Sequence, residues 1–161
     1  MLNILQHYFG TKILHRIEPE ISHAIALCYL RLLNQLVRKK KSVTPFLKTK
    51  ICGMELPSPI GLAAGFDKNA EVFNATLSLG FGFVEVGTIT PEPQNGNPKP
   101  RLFRLPDEEA LINKMGFNNK GMLYVSKAAR VPRLGIVGVN IGANAKSINK
   151  VLDYTTIFEF L

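Results

Sequence analysis

The chain has 161 residues, the length of one domain, and 46% of them are hydrophobic against 20% charged. That balance excludes a disordered chain and predicts a globular protein with its own core. The net charge of +8 lies at one end, because residues 1–50 hold nine Lys or Arg against two Glu, a net of +7, and the other 111 residues carry +1. This end of the chain is therefore expected to meet an anionic partner.

Two amphipathic helices are predicted within residues 1–41. Apolar residues recur at mostly helical spacing over residues 2–16, with an interruption at Gly10. A second helix is predicted over residues 20–38, with Pro19 in its first turn. Its longest unbroken apolar run, residues 24–30, is far shorter than the roughly 18 residues that span a bilayer. The predicted apolar face of this helix comprises Ile21, Ile25, Cys28, Leu32 and Leu36, together with Ala24, Leu33 and Val37.

The basic run at residues 38–41, Arg-Lys-Lys-Lys, follows this helix directly. An amphipathic helical pair next to a cationic cluster is typical of a segment that lies on an anionic membrane surface. A helical hairpin packed on its own domain, with the lysines as a solvated linker, explains the pattern equally well. Nucleic-acid binding is disfavoured, because the run has no interleaved aromatic residues.

The two cysteines, Cys28 and Cys52, have no histidine or acid at metal-ligand spacing around them. We interpret them as small core residues in a reducing compartment, and a disulfide between them stays open. The N-terminus shows no pattern of a cleaved targeting peptide.

From Lys50 onward the pattern changes to alternating strands and helices, which predicts a parallel α/β fold. The expected elements are a hairpin over 51–56, strands over 60–64, 83–88, 102–105 and 134–142, helices over 69–79 and 120–130, and loops over 91–100 and 111–119.

Three of the predicted strands end in residues suited to ligand binding: Gly65 to Lys68 after the first, Thr88 after the second and Asn140 in the last. Carboxyl ends of parallel strands meet at one edge of a sheet, so a cation, a hydroxyl and an amide are expected to converge there. A fixed lysine at this edge indicates a carboxylate or phosphate ligand. Taken alone, the first segment reads as an ordinary βα loop with a solvated lysine. Dinucleotide and Walker A fingerprints, zinc spacing and a nucleophile elbow are absent from the sequence.

Five segments follow one another along the chain, at residues 61–68 (GLAAGFDK), 85–91 (EVGTITP), 100–105 (PRLFRL), 112–119 (INKMGFNN) and 138–142 (GVNIG). Together, and in this order, they resemble the motif series of the class 2, quinone-dependent dihydroorotate dehydrogenases. Residues 18–23 (EPEISH) resemble the N-terminal helical extension of the same class. The resemblance covers nearly the whole chain, but only the N-terminal half of the family's length.

The resemblance implies a TIM (β/α)8 barrel that binds FMN at the carboxyl ends of its strands. Residues 1–41 would then form a helical segment for membrane association and the quinone tunnel, and residues 42–161 the first three or so barrel strands. The implied FMN contacts are Ala64, Gly65, Phe66, Asp67, Lys68, Thr88 and Asn140. The implied substrate contacts are Lys68, Asn113, Lys114, Met115, Gly116 and Phe117, and the tunnel residues are His23 and Arg104.

Some of these residues also have simpler interpretations. His23 alone would be read as a satisfied or solvent-facing helix histidine, and His7 and His15 match no motif and are expected at the surface. Asp67 is expected to form a turn and not to act as a base. Ammonium and amide groups at Lys68 and Asn113 would suit a carboxylate substrate, since such donors orient it for hydride transfer to a flavin.

The family's catalytic serine motif has no counterpart in this sequence, and Ser126 and Ser147 do not fit it. No catalytic residue is therefore assigned within the chain, and the resemblance implies that the serine base lies beyond Leu161.

Two hypotheses of different class follow. In the first, the chain is part of an enzyme that oxidises (S)-dihydroorotate to orotate, through FMN and a membrane quinone, in UMP biosynthesis. Such a part is expected to be inactive and poorly stable alone, and to need a complementary C-terminal chain. It would be a peripheral protein on the cytoplasmic face of a bacterial inner membrane. The second hypothesis is a non-catalytic membrane-surface or interaction module.

Overall fold

The computed structural model describes residues 12–36 and 45–160. The helices are α1 (Pro19–Leu36), α2 (Phe73–Ser78), α3 (Met122–Ala128) and α4 (Lys150–Phe160). The strands are β1 (Thr49–Ile51), β2 (Met54–Leu56), β3 (Phe83–Ile89), β4 (Leu102–Leu105), β5 (Ala110–Asn113) and β6 (Ile136–Ile141). Residues 12–16 are also helical, and Pro45–Leu47 form a 3-10 turn.

Several of the sequence-based predictions fall outside the described residues. They concern the cationic run at 38–41, His7 and most of the first predicted helix. Leu161 is outside them too, so the serine base expected beyond Leu161 stays a prediction.

A small parallel sheet centred on β3 organises the domain. β3 pairs in parallel with β6, and on its other side Leu62 forms an isolated parallel bridge with Val84. Three parallel segments in chain order, with helices between them, confirm the α/β prediction and correspond to part of a barrel. The fully buried residues of this core come from β3, α2 and α3, and include Val84, Val86, Ile89, Phe73, Leu77 and Val125.

The first predicted strand is much reduced. Residues 60–64 were expected to form a buried strand, whereas the structure has only the bridge at Leu62 and leaves Ile60 66% exposed. Among the described residues, the segment has a backbone hydrogen-bonded neighbour only on the β3 side, where Leu62 N donates to Phe83 O and Glu85 N donates to Leu62 O. An apolar run therefore does not become buried without a second neighbour.

The predicted loop at 111–119 is wrong for its first three residues. Residues 110–113 form β5, which pairs antiparallel with β4 from Leu102↔Asn113 to Leu105↔Ala110. The chain reverses over 106–109, where Glu109 adopts φ +49° and allows a tight turn. This hairpin brings Asn113 beside Leu102 and so toward the ends of the parallel strands.

The helices differ from prediction mainly at their ends. α2 begins at Phe73, four residues later than expected. The preceding residues form a turn instead, because the carboxylate of Asp67 accepts hydrogen bonds from the N–H groups of Glu71 and Val72. α3 is likewise shorter than the predicted 120–130. Helix α4 was not predicted. Its apolar residues do not gather on one buried face of the helix, and most of them are exposed.

The prediction that Cys28 and Cys52 are core residues is wrong. Both thiols are free and exposed. Cys28 lies on the outward side of α1, and Cys52 sits with φ +50° in the turn between β1 and β2.

Helix α1 docks on the barrel part through Leu30, which is buried with Val72 and Ala75, and through Leu27 and Leu33, which pack against the same cluster. Ser22 is buried on this helix as well. Of the apolar face predicted from the sequence, Leu33 packs inward, whereas several other residues point outward. Its exposed residues are Ile21 at 53%, Ile25 at 45% and Leu32 at 62%, joined by Tyr29 at 61%. Among the described helices, none is long and apolar enough to cross a membrane.

Candidate ligand-binding site at the strand ends

A cavity of about 630 Å³ lies at the carboxyl end of β3, between α1 and the β4–β5 hairpin. Its volume is in the range of cofactor and small-molecule sites. The residues that line it are Pro19, Ser22, His23, Ala64, Gly65, Phe66, Lys68, Thr88, Leu102, Arg104, Leu111, Asn113, Met115, Gly116, Phe117 and Asn118. Residues that are far apart in the sequence are thus brought together as the motif series implied.

The loop 64–68 forms one wall of this cavity. Gly65 has φ +104° and open space where a Cβ would stand, and its N–H donates to Gly87 O at 2.8 Å. A ligand can therefore approach this backbone closely. Lys68 Nζ donates to Gly65 O at 2.5 Å, so the ammonium is held over the same turn. Burial lowers the pKa of Lys68.

Asp67 lies beneath the loop and does not line the cavity. Its carboxylate, 1% exposed, accepts hydrogen bonds from Glu71 N at 2.8 Å and Val72 N at 2.9 Å. Its carbonyl accepts from Gly87 N at 3.0 Å. Burial raises the pKa of this carboxyl. The geometry agrees with the expected turn-forming role, and the FMN contact implied by the resemblance stays a prediction.

Thr88 contributes a hydroxyl at the end of β3. Its Oγ1 donates to Asn140 Oδ1 at 2.6 Å, and Asn140 Nδ2 donates to Glu85 Oε1 at 2.9 Å. Asn140 is not among the lining residues, so it acts here by orienting the hydroxyl. With its proton committed to Asn140, Thr88 Oγ1 keeps its lone pairs to accept a hydrogen bond from a ligand.

The segment 113–118 forms the opposite wall. Asn113, Met115, Gly116 and Phe117 line the cavity as the resemblance implied. Lys114 does not, because its side chain is exposed while its main-chain N–H donates to Arg101 O at 2.9 Å. Its role in substrate binding stays a prediction.

His23 and Arg104 both line the cavity, but their polar groups are engaged by the protein. His23 Nε2 lies 2.8 Å from Phe66 O, which requires that this nitrogen carry the proton. Burial and the charge of Lys68 lower the pKa of His23. Arg104 donates to Leu14 O and His15 O, at 3.1 and 3.0 Å, and also to Ile17 O. Through these hydrogen bonds, both residues hold the N-terminal helical segment against the barrel part.

Five lining residues were not identified from the sequence: Pro19, Ser22, Leu102, Leu111 and Asn118. Recognising β5 as a strand would have brought Leu111 to the same face as Asn113, since alternate strand residues share a face. For Ser22, which donates to Leu14 O at 2.7 Å, no sequence signal exists. Asn118 Oδ1 is buried without a hydrogen-bond partner, a state unique among the side-chain polar atoms of the described residues.

The donor set of this cavity fits a flat heteroaromatic ring and an anionic partner. Gly65 offers open backbone, Thr88 a free acceptor and Lys68 a cation, while Met115 and Phe117 supply apolar surface. Such a mixture of apolar walls and few convergent polar groups is what a flavin and a small carboxylate require. The residues present thus fit the ring of a flavin.

The described residues contain no group of three or more His, Cys, Asp or Glu that could hold a metal ion. Ser126 and Ser147 are committed to local hydrogen bonds, with Leu123 O at 3.1 Å and Asp153 Oδ1 at 3.0 Å.

Comparison with known proteins gives a consistent result. The model of the family "Dihydroorotate dehydrogenase" matches residues 46–161. The chain is 50% identical over 153 residues to "Dihydroorotate dehydrogenase (quinone)" of Rhodopseudomonas palustris (strain HaA2), covering 94% of this chain and 42% of that protein. It is 51% identical over 148 residues to the protein of the same name from Mesorhizobium japonicum, covering 90% and 41%.

Solved structures show the same likeness. A ligand-free dihydroorotate dehydrogenase from Eimeria tenella superposes with a TM-score of 0.75 at 42% identity, over 86% of this chain and 41% of that one. The same enzyme in complex with ferulenol gives a TM-score of 0.74. The chain thus spans about two fifths of the length of the relatives it matches.

Proposed function

Because the chain belongs to the dihydroorotate dehydrogenase family, we propose that it forms the FMN- and dihydroorotate-binding part of a quinone-dependent enzyme. That enzyme would oxidise (S)-dihydroorotate to orotate, with a membrane quinone as final acceptor, in UMP biosynthesis. The observation that carries the proposal is the convergence of Lys68, Thr88 and Asn113 on one cavity. Bound FMN would supply the two-electron redox chemistry.

Each residue has a chemical task in this proposal. The ammonium of Lys68 and the amide of Asn113 would bind and orient the substrate carboxylate, since charge-assisted hydrogen bonds combine strength with direction. The backbone at 64–66 and the Thr88 hydroxyl would hold the flavin. Phe117 and Met115 would exclude water from the reacting atoms. The serine base would come from a complementary C-terminal chain, so that this chain alone is expected to be inactive.

Activity in the presence of the rest of the barrel tests the proposal. Residues 1–161 would be purified alone and after co-expression with the C-terminal part of the Rhodopseudomonas palustris relative. We expect a yellow, flavin-loaded complex that reduces a soluble quinone analogue with dihydroorotate, and no activity from the chain alone. A colourless complex without turnover would refute the proposal.

Substitution of Lys68 sharpens this test. Lys68→Met is expected to lower kcat/KM for dihydroorotate by about a hundredfold, the effect of losing a partly buried charge-assisted bond of about 2–3 kcal/mol. Lys127→Met, which changes an exposed lysine on α3, is the matched control and is expected to leave kcat/KM unchanged. Equal rates for both variants would remove Lys68 from the substrate site.

We also propose that α1 and the basic run place the chain on an anionic membrane surface, at the cytoplasmic face of a bacterial inner membrane. The outward apolar residues of α1 and the net +7 of residues 1–50 support this. Co-sedimentation with phosphatidylglycerol vesicles is expected to fall on deletion of residues 1–41 and in Ile21→Ser/Leu32→Ser. Leu123→Ser, at a residue on α3 that is 59% exposed, is the control. Unchanged binding of the deletion variant would refute membrane association through this segment.

The same outward face of α1 favours a second candidate, a non-catalytic membrane-surface or interaction module. It differs from the first in one measurable respect, because such a module would bind vesicles and yet give no flavin-dependent turnover with any C-terminal partner. Vesicle binding together with restored activity would reject the module.

A further inference from the structure

Glu71 joins three separate parts of the fold. Its carboxylate accepts hydrogen bonds from Arg31 of α1, from Lys120 Nζ at 2.7 Å and from Tyr124 OH at 2.6 Å. Lys120 also lies over the Tyr124 ring, 4.2 Å from its centroid. The Glu71 side chain is only 10% exposed, whereas those of Arg31 and Lys120 are about half exposed, so a shielded carboxylate joins α1, α3 and the segment after Lys68.

The backbone on either side of Glu71 is fixed as well. Glu71 N donates to Asp67 Oδ1 at 2.8 Å, and Glu71 O accepts from Asn34 Nδ2 at 3.4 Å. Asn34 Oδ1 also accepts from Ala75 N at 3.0 Å. Lys68 lies between Asp67 and Glu71, so the residue proposed to bind substrate belongs to a segment held at both ends.

Electrostatics keeps the junction ionised. Burial raises the pKa of Glu71, but hydrogen bonds from Lys120, Tyr124 and Arg31 outweigh it and lower the pKa overall. The same carboxylate raises the pKa of Arg31 and of Lys120. The Glu71 carboxylate thus accepts charge-assisted, directional hydrogen bonds from two cations, Arg31 and Lys120, which lie 40 or more residues away in the sequence.

We propose that Glu71 is a positioning residue, which through Arg31 and Lys120 fixes the segment 65–72 and thereby the place of the Lys68 ammonium in the cavity. The identity of the ligand at Lys68 rests on the proposed function, whereas the positioning itself does not. Helix α1 then affects the site in two ways. Its residue Arg31 helps to position Lys68, and its N-terminal residues line the cavity.

Glu71→Gln tests the proposal in the ligand-free full chain. The variant keeps the shape of the side chain but loses its charge. Hydrogen exchange at the amides of Gly65, Glu71 and Val72 is expected to become about tenfold faster, because charge-assisted bonds restrain local opening. In a chain carrying [13C]lysine, the Lys68 Cε titration is expected to shift upward, since a loosened loop exposes the ammonium to water.

A second pair of variants covers the case in which Glu71→Gln does not fold. Arg31→Met and Lys120→Met each remove one cation whose side chain is about half exposed, and both are expected to change exchange and titration in the same direction, about threefold in rate. Glu159→Gln, at an exposed position on α4, is the matched control and is expected to change neither.

Unchanged exchange at 65–72 in the folded variants would overturn the proposal. Faster exchange with an unaltered Lys68 titration would overturn it too, because Glu71 would then only dock α1. These measurements need no flavin or substrate. A wild-type complex that fails to bind FMN would therefore refute the proposed function and leave the test of Glu71 unaffected.

Discussion

The two loops that line the cavity are held by different kinds of interaction. Loop 64–72 depends on two carboxyl groups, the buried one of Asp67 and the one of Glu71, which is shared by two cations. Loop 113–118 depends on neutral amides. Gln94 Nε2 donates to Gly116 O at 3.0 Å, and Asn119 Nδ2 donates to Phe117 O at 2.7 Å. Charge-assisted bonds are roughly twice as strong as neutral ones, so we expect loop 64–72 to be stiffer and its stability to depend on pH.

Removing the Asp67 carboxylate should have the largest effect. Asp67→Ala leaves two backbone N–H groups, of Glu71 and Val72, without partners in a buried turn. We expect a loss of about 3 kcal/mol in the free energy of unfolding, measured by urea denaturation. Asp107→Ala, at an exposed residue in the β4–β5 turn, is the control and should stay within about 0.5 kcal/mol of wild type. A loss of similar size in both variants would show that Asp67 contributes no special restraint.

Neutralising Glu71 should cost less and should reveal the pH dependence. Glu71→Gln is expected to lower the free energy of unfolding by about 2 kcal/mol at neutral pH, a value reduced by the half-exposed cations. The folded-state pKa of Glu71 lies below its ordinary value of 4.5. Its contribution is therefore fully present above the unfolded pKa and is lost as pH falls through the folded pKa. Urea titrations from about pH 8 to about pH 3 should show a constant difference from wild type that shrinks below the ordinary pKa.

A difference that stays constant into acid would contradict this assignment, because it would mean that the carboxylate charge is not what holds the loop. Glu108→Gln, at an exposed position, provides the matched control at every pH.

The amide-held loop should respond weakly and without pH dependence. Gln94→Ala removes the bonds to Gly116 O and Phe117 O and leaves Asn144 Nδ2, which donates to Gln94 Oε1 at 3.0 Å, without that acceptor. We expect about 1–1.5 kcal/mol less stability, equal in mild acid and in mild base.

Hydrogen exchange should localise this effect. In Gln94→Ala the amides of 115–118 should exchange faster while those of 64–72 keep the wild-type rate. Gln35→Ala, at an exposed residue of α1, serves as control. Faster exchange in both loops would show that they open as one unit and would remove the contrast between them.

Among the contacts that hold the two loops, those of Asp67 are far easier to predict from the sequence than the others. Asp67 follows Gly65 in a loop at the end of a predicted strand, and Gly and Asp are both turn-forming residues, so its role could be predicted. Gln94 and Asn119 meet only because residues 94 and 119 pair as an isolated bridge, which periodicity does not reveal. The Glu71 junction is also hidden from the sequence, because its partners Arg31 and Lys120 lie 40 and 49 residues away.

The strands also differ in how well they could be predicted from the sequence. Strands β3 and β6 were predicted because β-branched apolar residues recur along both, and β3 is largely buried. β5 was missed because its three apolar residues, 110–112, run directly into the polar, Gly-containing segment 113–119, and so short a run gives no clear periodicity. Lys68, Thr88 and Asn113 were placed at the site by their motifs, whereas Asn118 could only be recognised from its unpaired buried oxygen.

Thr88 lies between the two loops and should give the smallest effect. Thr88→Val keeps the shape of the side chain but removes the donor to Asn140 Oδ1, at 2.6 Å. We expect a loss of about 1 kcal/mol, the ordinary value for one neutral hydrogen bond, with Thr155→Val on α4 as control. A Cβ added at Gly142 would stand 2.6 Å from Thr88 Cγ2 and 3.6 Å from the Phe117 ring. The Thr88 methyl group therefore already fills this space, and valine keeps that methyl group. Exchange in both loops should therefore stay at the wild-type rate, and a change confined to 113–118 would show that the Thr88 hydroxyl also supports the amide-held loop.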